Sequence, residues 1–173
     1  MANNDRKIES PLIWEFYRYW RDLGGGGVPD RGLFDPSAVA KLMPSLHIVE
    51  MEHGSDRLRY RLVGTQSDEF NGAPFTGRYL DEFFEGRTEV PARFFDTVYR
   101  RIGVTGQPEA GQYTWPSPRG TDIFIRFGVF PFAQDGAVRQ FFYLEDLTDT
   151  FSGERRKKGW CAALADFSDP GAS

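Results

Sequence analysis

Three consecutive runs of strand-forming residues constrain this chain more than any other feature. They extend from Glu109 to Trp115, from Asp122 to Phe132 and from Ala137 to Asp146, and only the turns Ser117 to Gly120 and Gln134 to Gly136 separate them. Turns that short join neighbouring antiparallel strands, so this half of the chain is expected to form an antiparallel meander. Two shorter runs, Leu46 to Met51 and Leu58 to Thr65, flank a polar turn from Glu52 to Asp56 and read as a further hairpin. Leu58, Tyr60 and Leu62 alternate with Arg57, Arg59 and Arg61, which predicts one buried and one polar face.

Helical patterns fill the remainder. Ser10 followed by Pro11 is an N-cap with proline in the first turn, and Ile13, Phe16, Tyr17, Trp20 and Leu23 recur at helical spacing up to Gly24. The run Gly24 to Gly27 lacks the strand and the Gly-Lys-Ser/Thr of a phosphate loop, and reads as a connector. Asp35 and Pro36 start a second short helix that Pro44 ends. Thr65 caps a short helix through Phe70, closed by Asn71 and Gly72, and a turn follows Thr76 and Gly77. The longest helix starts near Thr88, holds Pro91 in its first turn and reaches Gly103 or Gly106. This order predicts an α+β domain with a roughly five-stranded antiparallel sheet, helices on one face and an N-terminal helical extension. Residues 1–45 would be the extension, 46–149 the sheet-bearing domain, and 150–173 a basic segment, around Glu154 to Lys158, with a flexible tail.

The same order is that of a PAS domain, and particular residues carry the likeness. They are Tyr19-Trp20, Pro29-Asp30-Arg31, Phe34-Asp35-Pro36, Leu42-Met43-Pro44, Tyr60-Arg61-Leu62-Val63-Gly64-Thr65, Thr76-Gly77-Arg78, and Phe130-Pro131-Phe132 with Asp135-Gly136. In order and spacing the chain resembles the small single-domain PAS proteins of α-proteobacteria, a group formerly classed as a domain of unknown function. The resemblance implies a sensory or regulatory module without intrinsic catalysis, and a small molecule or cofactor held between sheet and helices. A flavin adduct would need a cysteine after the second strand, where Asn71, Gly72, Ala73, Pro74 and Phe75 stand. Haem would need a histidine on the long helix, and Thr88 to Ile102 has none. A thioester-linked chromophore would need a cysteine at the pocket, whereas Cys161 lies beyond the last predicted strand. The cofactor is therefore left open.

Charge and composition narrow the partners. Lys and Arg number 21 against 25 Asp and Glu, a net charge of −4, so no phosphate-backbone footprint is expected and nucleic acid is not anticipated. No apolar run approaches the roughly 20 residues a membrane span requires, and Met1 to Glu9 is polar, so a cytoplasmic protein without a membrane partner is expected. The single cysteine excludes a disulfide scaffold. His47 and His53 lie six residues apart, roughly 20 Å along a strand. They cannot chelate one metal and read as a partly exposed strand residue and a turn residue. No metal site and no catalytic residue is assigned, although Asp68, Glu69, Asp81 and Glu82 lie toward the expected cavity.

Apolar pocket candidates are Tyr60, Leu62, Phe70, Phe75, Phe95, Tyr99, Phe127 and Phe142, with Tyr60 and Tyr99 set apart because a buried hydroxyl wants a partner. Arg61 and Arg126 lie within strands and need anions nearby. An ion pair with Asp30 or Asp35 would clamp the leader to the sheet, and capture of an anionic ligand is the other use. Arg78 is expected to anchor a loop over the cavity mouth. Trp14, Tyr17 and Trp20 offer more aromatic surface than one packing stripe uses, pointing to a homodimer interface or to packing on the sheet's outer face. The leading function is a stand-alone module that binds a small ligand or a signalling protein. The alternatives are a cone-shaped, ketosteroid-isomerase-like α+β enzyme and a ligand-free interaction adaptor.

Overall fold

The structure, a computed structural model, describes residues 8–120, 122–148, 162–165 and 167. In chain order it contains α1 (Pro11–Gly24), β1 (Leu46–Met51), β2 (Leu58–Leu62), α2 (Thr65–Asn71), α3 (Glu89–Thr105), β3 (Glu109–Pro116), β4 (Asp122–Gln134), β5 (Ala137–Asp146) and β6 (Ala162–Ala165). Short 3-10 turns at Arg31–Leu33, Pro36–Ser45, Leu80–Phe83 and Gly86–Thr88 join them. All strands pair antiparallel in one sheet of order β2-β1-β5-β4-β3-β6. The meander β3-β4-β5 and the β1-β2 hairpin match the expectation, and a sixth strand is added. Ala162–Ala165 pairs with Ala110–Tyr113 of β3, inside the C-terminal segment 150–173 for which no strand was expected. The basic run Glu154 to Lys158 lies outside the described residues.

Helices cover both faces of the sheet. Alternation along β5 sends Phe141 and Tyr143 to a core shared with Phe95, Val98, Tyr99 and Ile102 of α3. The same alternation sends Phe142 and Leu144 to a second core with Ile13, Phe16 and Trp20 of α1. The leader is therefore the second layer of the fold. Its N-cap Ser10, 1% exposed, accepts from the Ile13 amide at 3.3 Å and donates to Asp146 Oδ2 at 2.5 Å. Trp20 Nε1 donates to the Pro131 carbonyl at 2.7 Å, beyond the last β4 residue that pairs with β3. Gly128 lies beneath α1, where an added Cβ would come within 2.8 Å of Ile13 Cγ2. No helix among the described residues is long and apolar enough to cross a membrane.

Several sequence expectations are corrected by this packing. Leu62 is not on the face of Leu58 and Tyr60. The pairing passes from Ile48 opposite Leu62 to Val49 opposite Tyr60, so Arg61 is an extra, bulged residue and the parity flips. Leu62 consequently packs on the α1 side, and Arg61 is solvated and paired with Glu50 at 3.1 Å. Phe142 belongs to the α1 core, where it meets Phe16, Phe34 and Phe132. Neither Asp30 nor Asp35 forms the expected ion pair. Each caps its own turn, accepting from the amides of Gly32 and Ser37. The leader is held instead by Glu9 beside Arg126 at 3.3 Å, by Ser10 on Asp146, and by Arg31 Nε donating to Gln140 Oε1 at 2.8 Å. Trp20 is buried against the sheet, while Trp14 and Tyr17 pack on Phe167, with Tyr17 stacked on it at 4.2 Å. Much of the aromatic surface of α1 is thus packed within the chain, with Trp14 and Tyr17 left half-buried.

Gly64 joins β2 to α2 at a close approach to the leader, and a Cβ there would overlap the Pro44 carbonyl. A backbone oxygen cannot swing aside as a side chain can. Gly64→Ala is expected to destabilise the fold by at least about 2 kcal/mol, read as a lower urea midpoint at unchanged m-value. An unchanged midpoint would show that the leader yields at this point.

Candidate functional site

The sheet face toward α2 and α3 is apolar and aromatic except at one place. His47 of β1 lies opposite Tyr143 of β5 in the ladder, with ring centroids 5.0 Å apart at 84°. Two residues further along β5, and so on the same face, stands Glu145. Tyr113 of β3 reaches across from the other side. The Tyr113 and Tyr143 hydroxyls lie 2.7 Å apart, and each also lies within hydrogen-bond distance of Glu145 Oε1, at 2.9 and 2.7 Å. His47 Nε2 is 3.5 Å from Glu145 Oε2, and the two side chains are 3% and 12% exposed. That separation is too long for a good hydrogen bond. His47 Nε2 is a buried nitrogen without a hydrogen-bond partner.

Burial by itself would raise the Glu145 carboxyl, but the charge of His47 and the hydrogen bonds it receives, those from Tyr143 and Tyr113 included, outweigh it and lower the pKa to about 2. Burial first, and then the negative charge of Glu145, push the Tyr113 and Tyr143 hydroxyls well above the usual phenol range. Burial does the same for Tyr60 and Tyr99. The site is therefore one ionised carboxylate beside an imidazole, surrounded by neutral hydroxyls. Among the described residues no group of three or more His, Cys, Asp and Glu side chains could hold a metal ion.

These groups line a cavity of about 30 Å³ between the sheet, α2 and α3. Of the sequence candidates, Tyr60, Phe70, Phe75, Phe95 and Tyr99 lie on its wall. Phe127 faces the same core but sits behind Phe95, 5.0 Å from it, while Leu62 and Phe142 are on the opposite face of the sheet. Asn71 and Ser67 of α2 form a polar rim, where Trp115 Nε1 donates to Asn71 Oδ1 at 3.2 Å. The loop after α2 is folded back on β2. The Phe75 amide donates to Asp68 Oδ1, and the Tyr60 amide to the Arg78 carbonyl. The Arg78 guanidinium lies 4.2 Å from the Phe83 ring centroid and 3.0 Å from Glu82.

Sequence reasoning missed His47, Tyr113, Tyr143 and Glu145. His47 is buried, not partly exposed, because its parity on β1 places it with Val49 on the cavity face. The carboxylates considered from sequence lie elsewhere: Asp68 caps the loop, Glu69 is exposed, Asp81 pairs with Arg57 and Glu82 with Arg78. The available signal was the triplet Phe141, Tyr143, Glu145, which shares one face of a single strand. A larger open groove of about 790 Å³ lies between the C-terminal ends of α1 and α3 and β6, but it carries no buried ionisable side chain. The smaller cavity is the candidate site.

A single antiparallel sheet between two helical layers, with a small, largely aromatic cavity holding one polar cluster on one face, defines an α+β domain. The chain belongs to the PAS domain family, whose profile matches residues 8–141. Among solved structures it is similar to VqmA bound to DPO, with 17% identity and a TM-score of 0.50 over 64% of this chain and 55% of that one. A phage VqmA–DPO complex gives 16% and 0.50 over 67% and 54%, and a Vibrio cholerae VqmA dimer without target DNA gives 18% and 0.50 over 68% and 54%. The chain spans about half the length of these proteins, and at such identities the likeness is one of fold. No curated protein matches the sequence.

If Glu145 is held ionised by its neighbours, Glu145→Gln should lower the unfolding free energy by about 3 kcal/mol at pH 7. The folded pKa of about 2 lies below the ordinary 4.5, so this stabilisation is complete above pH 4.5 and fades as pH falls toward 2. Urea unfolding of both proteins across that range should show the difference narrowing. A gap that stays constant would mean the carboxylate is not the source.

Proposed function

We propose that this PAS domain is a sensory or regulatory module that takes a small molecule into the cavity between the sheet and α2/α3. Occupancy is passed on as a change in packing, the protein acts as a homodimer with a signalling protein as its partner, and it catalyses no reaction. The observation that carries this reading is His47 Nε2, buried at the cavity wall beside an ionised carboxylate and without a hydrogen-bond partner. A buried polar atom left unpaired is costly, and a bound molecule entering the cavity would satisfy it. VqmA, of similar fold, is described bound to DPO and as a dimer, which supports both the ligand and self-association. The resemblance to single-domain α-proteobacterial PAS proteins agrees with a regulatory role. The VqmA dimer is also described in relation to target DNA, which removes the ground for excluding nucleic acid on charge alone.

The enzyme alternative is disfavoured by the direction of the Glu145 shift. A general base works best with a pKa near the operating pH, and this carboxyl is moved away from it, to about 2. The adaptor alternative draws support from the size of the cavity, about 30 Å³, room for little more than a water molecule or a few heavy atoms.

Native mass spectrometry of gently purified protein separates these readings. The expected result is a dimer carrying a reproducible small mass that is lost in Ala92→Leu, whose larger side chain fills the cavity from α3. A bare dimer would favour the adaptor, and a bare monomer would overturn the homodimer.

A further inference from the structure

The chemistry of the cavity wall narrows what can enter, given the reading of this cavity as a ligand pocket. Glu145 Oε1 already lies within hydrogen-bond distance of two tyrosine hydroxyls, while Oε2 has only His47 Nε2 at 3.5 Å. Once the imidazole is neutral with its proton on Nδ1, Nε2 is also an acceptor. No described residue forms a hydrogen bond to the hydroxyl of Tyr60 or Tyr99, and both side chains line the cavity. The rest of the wall is built from aromatic rings, among them Phe70, Phe75, Phe95 and Trp115, whose faces carry partial negative charge. Among the described residues no lysine or arginine lines the cavity, so an anion entering it would meet Glu145 with no guanidinium or ammonium to receive it.

We propose that the cavity binds a small organic ammonium ion, whose N–H groups bridge Glu145 Oε2 and His47 Nε2 and whose alkyl part lies against the phenylalanine rings. The ammonium would place a positive charge directly beside Glu145 Oε2, whose nearest polar neighbour is His47 Nε2 at 3.5 Å. The other titratable groups around the cavity are Tyr60 on β2, Tyr99 on α3, Tyr113 on β3 and Tyr143 on β5, all neutral, so none of them competes with the ammonium for Glu145 as a charge. The small volume favours an ion of a few heavy atoms, because a longer one must displace Phe75 and its loop.

The test is a titration of the full chain by ¹H–¹⁵N correlation spectra with ethylammonium chloride, acetamide and sodium acetate at equal ionic strength. The reporters are the Trp115 indole and the Tyr143 and Glu145 amides. Saturable shifts with ethylammonium alone are expected, with affinity at least tenfold weaker in Glu145→Gln. The comparison of the three probes is made in the unaltered chain and so does not depend on the variant folding. Equal or larger shifts from acetamide or acetate would overturn the ammonium assignment while leaving a ligand pocket in place. Absence of saturable shifts from ethylammonium would overturn it as well, and the pocket itself is decided separately by the retained mass and its loss in Ala92→Leu.

Discussion

A carboxylate can remain ionised inside an aromatic core only if hydrogen-bond donors and a positive charge surround it, and much of this sheet face answers that requirement for Glu145. Three strands contribute. β1 brings His47, β3 brings Tyr113, and β5 brings both Tyr143 and the carboxylate itself. Their register therefore matters more than their composition: a slip of one residue in β5 would turn Tyr143 and Glu145 to the leader side and bring Phe142 and Leu144 to the cavity. The helices then seal the cluster from water. α3 lays Phe95 over both tyrosines, with ring centroids 4.8 and 5.3 Å away.

The opposite face of the sheet solves a simpler problem. Phe130, Phe132, Phe142 and Leu144 need an apolar cover, and α1 with the turns after it provides one. Its polar fastenings are few and spread along its length. Ser10 and Glu9 hold the start of the helix, Trp20 the middle of its path, and Arg31 the turn beyond. Family membership from residue 8 onward is consistent with that cover being integral to the domain.

Much of this architecture is legible in the sequence because it is written in periodic patterns and in punctuation. The Ser10-Pro11 device, the Gly72 stop, the Thr88 start and the limits of β1, β3 and β5 all fall within a residue or two of expectation, and the turns between the last three strands are local. What escaped was set by pairing across strands. The bulge at Arg61 reverses Leu62, and nothing within Leu58 to Leu62 marks it. Choosing Phe142 over its neighbours was an error of parity, since a run of apolar residues buried on both faces carries no alternation to read. β6 is four residues of alanine and leucine, recognisable only because the edge of β3 is there to receive it. Glu145 was passed over for a related reason. A charged residue at the end of a strand reads as solvated unless the hydroxyls that enclose it, one of them from a strand 32 residues earlier, are placed in advance.

Glu145 and Asp146 are consecutive in β5, yet one closes the cavity and the other holds the first turn of α1 through Ser10. Their α-carbons are separated by a single peptide unit, about 3.8 Å of rigid plane. Successive side chains of a strand point to opposite faces, so the two carboxylates serve opposite sides of the sheet. The cavity and the leader are thus fastened to one strand at neighbouring residues, a single peptide unit apart on opposite faces of the sheet.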